Sequence, residues 1–161
     1  MQRTIEKNEN EICEYAIFNV GEIICGLDIK SVREINRNLE VTGVHLAPDY
    51  VRGVINLRGQ IVTVVDLRQK FGMEPREFGK WTRVIVTRAS SGEEDIGLLV
   101  DGVDDIVQSL TEKLDQSPPH IDSIVGKYLS GVYKMDKKLI AILDVDRILK
   151  PDDSIHDPND R

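Results

Sequence analysis

The chain has 161 residues, of which 28 are acidic and 21 are basic, so its formal net charge is −7. This acidic balance argues against a nucleic-acid partner, because phosphates favour a basic protein surface. No apolar run approaches the roughly 18 residues that suggest a membrane span, and residues 1–11 lack the apolar core of a signal peptide. We therefore expect a cytoplasmic protein without direct membrane insertion.

Short apolar, β-branched runs separated by turn residues predict a series of strands along the whole chain. These runs lie at 13–20, 23–29, 41–46, 51–57, 60–65, 81–89, 95–100, 103–109, 128–135 and 138–143. Helices are predicted only as short turns, with Asp66 and Asp144 as N-caps. The pattern predicts an all-β fold of two similar five-stranded barrels packed side by side, with short helices at the barrel ends.

Residues 51–71 form the most regular stretch and are predicted to fold as strand, turn, strand and helical turn. Arg58 and Gly59 lie between the two strands. A type II turn is expected, because it requires positive φ only at Gly59. A type I′ turn would also force Arg58 to positive φ, which non-glycine residues adopt less readily.

A similar stretch occurs a second time. When Gly53 is aligned with Gly131 without gaps, Val64 meets Ile142 and Asp66 meets Asp144. Upstream, residues 26–35 align with residues 97–106 in the same way. The repeat predicts a domain at 13–150, with a first barrel at about 14–72 and a second at about 80–145. Residues 1–12 and 151–161 are predicted to be flexible tails.

Residues with catalytic or metal-binding chemistry are few and scattered. His45, His120 and His156 lack metal-ligand spacing, and no nucleophile motif accompanies His45. The carboxylates at 101, 104 and 105 do not match a calcium loop. We therefore expect no catalytic residues, no metal and no cofactor. Cys13 and Cys25 lie in apolar runs, which favours buried free thiols over a disulfide.

The stretch VRGVINLRGQIVTVVDLR at 51–68 resembles the signature of the CheW-type coupling proteins of bacterial chemotaxis. The resemblance continues in EYAIFNVG, GLDI, VREI, GLLVDGV, YLSG and LDV, at 14–21, 26–29, 32–35, 97–103, 128–131 and 143–145. The family fold is two five-stranded SH3-like barrels, in agreement with the architecture predicted from the repeat. The chain leaves no length for a kinase or receiver domain, so it is most similar to the free-standing coupling protein.

The resemblance implies a non-catalytic adaptor recruited to membrane receptor arrays. It would join the cytoplasmic tip of methyl-accepting chemoreceptors to the regulatory domain of the histidine kinase CheA, and would be a monomer when free. The alternatives are a CheW-like regulatory module in another two-component pathway, a β-barrel hydrolase using His45, and a nucleic-acid-binding barrel.

The resemblance also implies site residues. Receptor docking would involve Val32, Glu34, Gly53, Asn56, Leu57, Arg58 and Gly59. The kinase side would use first-barrel strand ends, and Ile29, Leu46 and Val62 are chosen there for their apolar character, although they could equally be core residues. The second copy of the repeat has a different turn, Lys134-Met135-Asp136-Lys137, which agrees with a functional role for the first.

Overall fold

The structure is a computed structural model that describes residues 12–37, 39–90, 92, 94–110, 114–115, 123–135 and 137–150. Its strands are β1 (Ile12–Val20), β2 (Ile23–Asp28), β3 (Val32–Asn36), β4 (Val51–Leu57), β5 (Gln60–Asp66), β6 (Arg83–Arg88), β7 (Asp95–Val100), β8 (Gly102–Leu110), β9 (Leu114–Asp115), β10 (Leu129–Met135) and β11 (Lys138–Leu143). The helices are single turns, α1 (Leu67–Lys70), α2 (Ser123–Gly126) and α3 (Val145–Leu149), and a 3₁₀ turn lies at Ile29–Ser31. The predicted flexible tails fall outside the described residues, except for Ile12, which begins β1.

The strands form two sheets. Sheet A has the order β8-β1-β2-β11-β10-β9, and sheet B has the order β3-β6-β7-β5-β4. Because β9 contains only two residues, each sheet has five longer strands. Neighbouring strands are antiparallel, except for the parallel pairs β2–β11 and β5–β7. The predicted all-β fold of two five-stranded units is confirmed.

The sequence repeat is visible in the register of the two parallel pairs. Gly26 of β2 lies opposite Ile142 of β11, and Gly97 of β7 lies opposite Val64 of β5. These are the positions that the repeat makes equivalent. The hairpins β4–β5 and β10–β11 also share a shift of register, which ends at Gly53 in one and at the equivalent glycine in the other.

The predicted division of the chain into barrels at 14–72 and 80–145 is wrong, because the opening hairpins have exchanged places. Strands β1 and β2 pair with β8 and β11, whereas β6 and β7 pair with β3 and β5. Each sheet therefore combines the opening hairpin of one copy with the remaining strands of the other. Since both copies carry the same strand pattern, either hairpin could pair in an equivalent register, and local sequence does not choose between them.

One apolar cluster joins the two sheets. It contains Phe18 and Leu27 from sheet A and Ile85 and Leu98 from sheet B, each at most 1% exposed. A second, smaller cluster packs within sheet B and a third within sheet A. Leu98 belongs to the shared cluster and its neighbour Leu99 to that of sheet B. Strand β7 is thus buried on both faces, which explains its unbroken apolar run.

The two predicted N-caps are confirmed. A side-chain oxygen of Asp66 accepts a hydrogen bond from the backbone N–H two residues on, at 2.9 Å, and Asp144 does the same at 3.0 Å. Their own N–H groups donate to the carbonyl oxygens of Tyr50 and Tyr128, at 2.7 and 2.8 Å. Each aspartate therefore fixes both the end of a strand and the start of a helix.

Neither cysteine forms a disulfide, and the prediction that both thiols are buried holds for Cys25 alone. Cys25 is fully buried in the shared cluster, and desolvation raises the pKa of its thiol. Cys13 is only half-buried at the start of β1. A raised thiol pKa disfavours the reactive thiolate, so Cys25 serves as a small apolar core residue.

Candidate functional site

The tip of hairpin β4–β5 has a different backbone from the one predicted. Arg58 has φ of 52° and Gly59 has φ of 86°. Two positive φ values in a two-residue loop define a type I′ turn, so the type II prediction is wrong. A type I′ turn matches the right-handed twist of the paired strands, and this overrides the preference of Arg58 for negative φ. The N–H of Gly59 also donates to Oδ1 of Asn56 at 2.8 Å, which stabilises the turn.

Arg58 is held in place by Glu34. Nη2 of Arg58 donates to Oε2 of Glu34, and Nδ2 of Asn36 donates to Oε1 of Glu34 at 3.2 Å. The hydrogen bond from Arg58 is the main reason that the pKa of Glu34 lies below its ordinary value. The Arg58 side chain remains 75% exposed. It can therefore donate further hydrogen bonds to a carboxylate or carbonyl of a partner.

Four of the seven residues assigned to receptor docking lie together at this tip: Glu34, Asn56, Arg58 and Gly59. Leu57 is 9% exposed and belongs to the core of sheet B. Gly53 is buried, and a Cβ added there would overlap the carbonyl oxygen of Thr42. These two residues shape the hairpin from inside. Val32 is half-buried against the shared cluster, at the start of β3.

The three residues chosen for the kinase side differ in accessibility. Val62 is only 1% exposed in the core of sheet B, so its side chain presents no surface to a partner. Ile29 is half-buried in the 3₁₀ turn. Leu46 is 94% exposed and has φ of 64°, which is rare for a bulky apolar residue.

The predicted strand at 41–46 is wrong. Residues 41–46 do not form a strand, and only an isolated bridge joins Thr42 to Val54. Leu46 lies in a turn, and its positive φ is incompatible with an extended conformation at that residue. The positive φ of Leu46 directs the chain out of the sheet and places the apolar side chain in solvent.

Sequence reasoning missed two exposed apolar side chains on sheet A. Ile12 of β1 is 59% exposed and Ile106 of β8 is 57% exposed. Ile106 alternates with the half-buried Val107 and lies two residues from Asp104 and Gln108, both exposed. A period of two applied to residues 103–109 would have placed this isoleucine on a polar face.

The hydrolase alternative depends on His45. His45 is exposed and lines neither the 300 Å³ cavity beside Tyr50 nor the 580 Å³ cleft between the sheets. Within the described part of the chain, no group of three or more His, Cys, Asp or Glu side chains could hold a metal ion. No helix in that part is long and apolar enough to cross a membrane.

The fold and the tip define a class of protein, a two-sheet β module whose exposed features suit protein–protein contacts. The CheW-like domain family matches residues 14–152, and the chain belongs to this family. It is 32% identical over 140 residues to the chemotaxis protein CheW of Klebsiella aerogenes, covering 87% of this chain and 83% of that protein. It is 31% identical over 137 residues to the chemotaxis protein CheW of Thermotoga maritima, with coverage of 85% and 87%.

Among solved structures, the fold is similar to that of the scaffolding protein TtCheW from Thermoanaerobacter tengcongensis. The TM-score is 0.79 at 26% identity, covering 94% of this chain and 96% of that one. Family membership supports the prediction that the protein is not an enzyme.

Proposed function

We propose that this chain is a non-catalytic adaptor that couples transmembrane chemoreceptors to the histidine kinase CheA in cytoplasmic signalling arrays. The observation that carries the proposal is the extent of the family match. Residues 14–152 include strands of both sheets, from β1 to α3. The two sheets share one apolar cluster, so they act as a single rigid platform that can present different faces to different partners.

The receptor side of the proposal rests on the β4–β5 tip. Arg58 holds a backbone conformation that costs a non-glycine residue about 1–2 kcal/mol, yet its side chain is largely exposed. Strain of this kind is retained where it positions a functional group. We assign Glu34, Asn56, Arg58 and Gly59 to direct receptor docking, with Val32 at the start of the strand that carries Glu34 and with Gly53 and Leu57 as internal supports.

The kinase side rests on Leu46. An apolar side chain that is 94% exposed costs solvation free energy in the isolated protein. Burial against an apolar pocket of the CheA regulatory domain would recover that free energy. Ile29 stays in the proposal as a half-buried neighbour of the cleft, whereas Val62 leaves it because its side chain is buried.

The test is a calorimetric titration of the protein with a soluble receptor hairpin and, separately, with the CheA regulatory domain. Arg58→Glu is compared with the parent, and Lys137→Glu is the matched control. Lys137 is exposed in the equivalent turn of hairpin β10–β11, and both substitutions change the net charge equally. The free protein is expected to sediment as a monomer.

We expect the parent to bind both partners and Arg58→Glu to weaken only receptor binding, by about 2 kcal/mol if Arg58 is a hot spot. Lys137→Glu should bind like the parent. A folded parent that binds neither partner would overturn the adaptor function. Binding to a kinase domain without receptor binding would favour a CheW-like module of another two-component pathway.

A further inference from the structure

Asp101 and Gly102 form the only Asp-Gly or Asn-Gly pair in the sequence. Such a pair can rearrange spontaneously, because the backbone nitrogen of a glycine is unhindered and can attack the side-chain carboxyl carbon of the residue before it. A C–N bond forms, and one carboxyl oxygen leaves as water with the amide proton and a proton from solvent. The product of this step is a five-membered succinimide ring.

Water then opens the ring at the former main-chain carbonyl carbon, breaking its bond to nitrogen and returning the proton to solvent. The main chain now runs through the side-chain carbons of the aspartate, and the former main-chain carbonyl has become a carboxylate. The isoaspartate has the same atoms but one more carbon in its backbone path. Asp101 is the single residue between β7 of sheet B and β8 of sheet A, so the change would alter the junction of the two sheets.

The fold itself favours both members of the pair. A Cβ added at Gly102 would lie 2.9 Å from Oδ1 of Asn19 and 3.8 Å from Cβ of Trp81. Gly102 is buried, so a larger residue there would have to displace the Asn19 amide. Asp101 in turn connects Gly21 of sheet A with Arg68 of α1 through one carboxylate oxygen. The susceptible pair therefore lies where each of its residues has a structural role.

The contacts of Oδ2 of Asp101 oppose ring closure. This oxygen accepts from the N–H of Gly21 at 2.6 Å and from Nη1 of Arg68 at 2.7 Å. Arg68 is itself fixed, because its Nε donates to the carbonyl oxygen of Glu74 at 2.8 Å. Ring closure requires the carboxyl carbon to reach the nitrogen of Gly102, so the carboxyl group must turn. Two donors on one oxygen, one of them a charged guanidinium, resist this movement.

We infer that Asp101-Gly102 is a modification site, at which isoaspartate forms when the contacts of Asp101 with Arg68 and Gly21 open. In the folded protein these contacts slow the reaction. Arg68 controls the rate most strongly, because it supplies the charge-assisted hydrogen bond. The chemistry needs only water and the chain itself, so it does not depend on the partners proposed above.

The experiment measures isoaspartate in the full chain during incubation at neutral pH and body temperature. Methyl transfer by protein isoaspartyl methyltransferase gives the total amount, and peptide mapping assigns it to a residue. A free peptide of residues 96–106 gives the rate without the fold. Arg68→Gln removes the charged donor. Arg76→Gln is the matched control, since it removes the same charge from an exposed arginine whose Nη1 is 3.9 Å from the same oxygen.

We expect Asp101 to isomerise at least tenfold more slowly in the parent than in the peptide. Arg68→Gln, shown to be folded by circular dichroism, should react at least fivefold faster than the parent, and Arg76→Gln less than twofold faster. Arg68→Lys keeps a cation but not the planar donor, so its rate should lie between those of the parent and Arg68→Gln. It replaces Arg68→Gln in the comparison if that variant does not fold.

Three results would overturn the inference. The first is an equal rate in the parent and in the free peptide. The second is an equal rate in the folded Arg68 variant and in Arg76→Gln. The third is isoaspartate that maps only to other residues of the chain.

Discussion

Arg58, at the tip of hairpin β4–β5, forms an ion pair with Glu34 on β3, although β3 and β4 are the two opposite edge strands of sheet B. The pair therefore connects the two edge strands of sheet B directly. It also holds an exposed guanidinium at a type I′ turn, in which Gly, Asn and Asp are favoured over Arg. Stability and function place different demands on position 58, and they can be measured separately.

Arg58→Asn is expected to leave the free energy of unfolding unchanged or to raise it by up to about 1 kcal/mol. Asn adopts positive φ more readily than Arg, and an exposed ion pair contributes only about 0–1 kcal/mol. Urea denaturation of the parent and the variant measures the difference. A loss larger than about 1 kcal/mol would mean that the ion pair outweighs the backbone strain.

The carboxyl of Glu34 should titrate below its ordinary pKa in the parent and close to it in Arg58→Asn. The hydrogen bond from Arg58 is the largest cause of the lowered pKa, ahead of the one from Asn36. A lowered carboxyl pKa stabilises the fold above the unfolded-state pKa, about 4.3 for Glu, and this contribution is lost as the pH falls through the lower folded-state pKa. NMR titration of the Glu34 side chain checks the shift. Asn36→Ala is the control and should keep most of it.

Alanine at three glycines compares a position with both steric overlap and positive φ, one with positive φ alone, and one with neither. Gly53→Ala is expected to cost at least about 2 kcal/mol, because its Cβ would overlap the Thr42 carbonyl oxygen and break the bridge to β4. Gly59→Ala has open space but positive φ, so we expect a loss of about 1 kcal/mol. Gly43→Ala has neither problem and should be neutral or stabilising. Equal unfolding midpoints for all three variants would contradict this reading.

Asp101→Ala is expected to destabilise the protein by about 3 kcal/mol, because it leaves a nearly buried arginine without its partner. Oδ2 of Asp101 accepts from the N–H of Gly21 at 2.6 Å and from Nη1 of Arg68 at 2.7 Å. It thereby ties the β1–β2 turn of sheet A to helix α1 of sheet B. Thermal and urea unfolding measure the loss. Asp104→Ala, at an exposed position on β8, should differ from the parent by less than about 0.5 kcal/mol.

Local patterns in the sequence were sufficient to predict most elements of the fold. Alternation, β-branched runs and the two capping aspartates act over a few neighbouring residues. They predicted the β4–β5 and β10–β11 hairpins and the short helices that follow them. The strand, turn and strand pattern of residues 51–65 predicted the position of the tip. Four of the seven residues that the family resemblance assigned to receptor docking lie there together.

The sequence predictions failed for backbone conformation and burial, which depend on how the strands pair and pack. The turn at Arg58 follows the twist of the two strands that it joins. Val62 was chosen as a kinase contact because its apolar character does not reveal which face of β5 is buried. Leu46 ends a run that has strand composition, and its positive φ does not follow from that composition.

The amino-acid sequence by itself determined the all-β class, the internal repeat and membership of a known family, because each depends on residue patterns that persist in any arrangement of the strands. Only the tertiary structure decided which copy each opening hairpin joins, because the two copies offer equivalent pairing edges. The same exchange brings β2 and α3 opposite β3 and β6. Residues within 28–33 thereby come to line one cleft with Arg88 of β6 and residues 143–146.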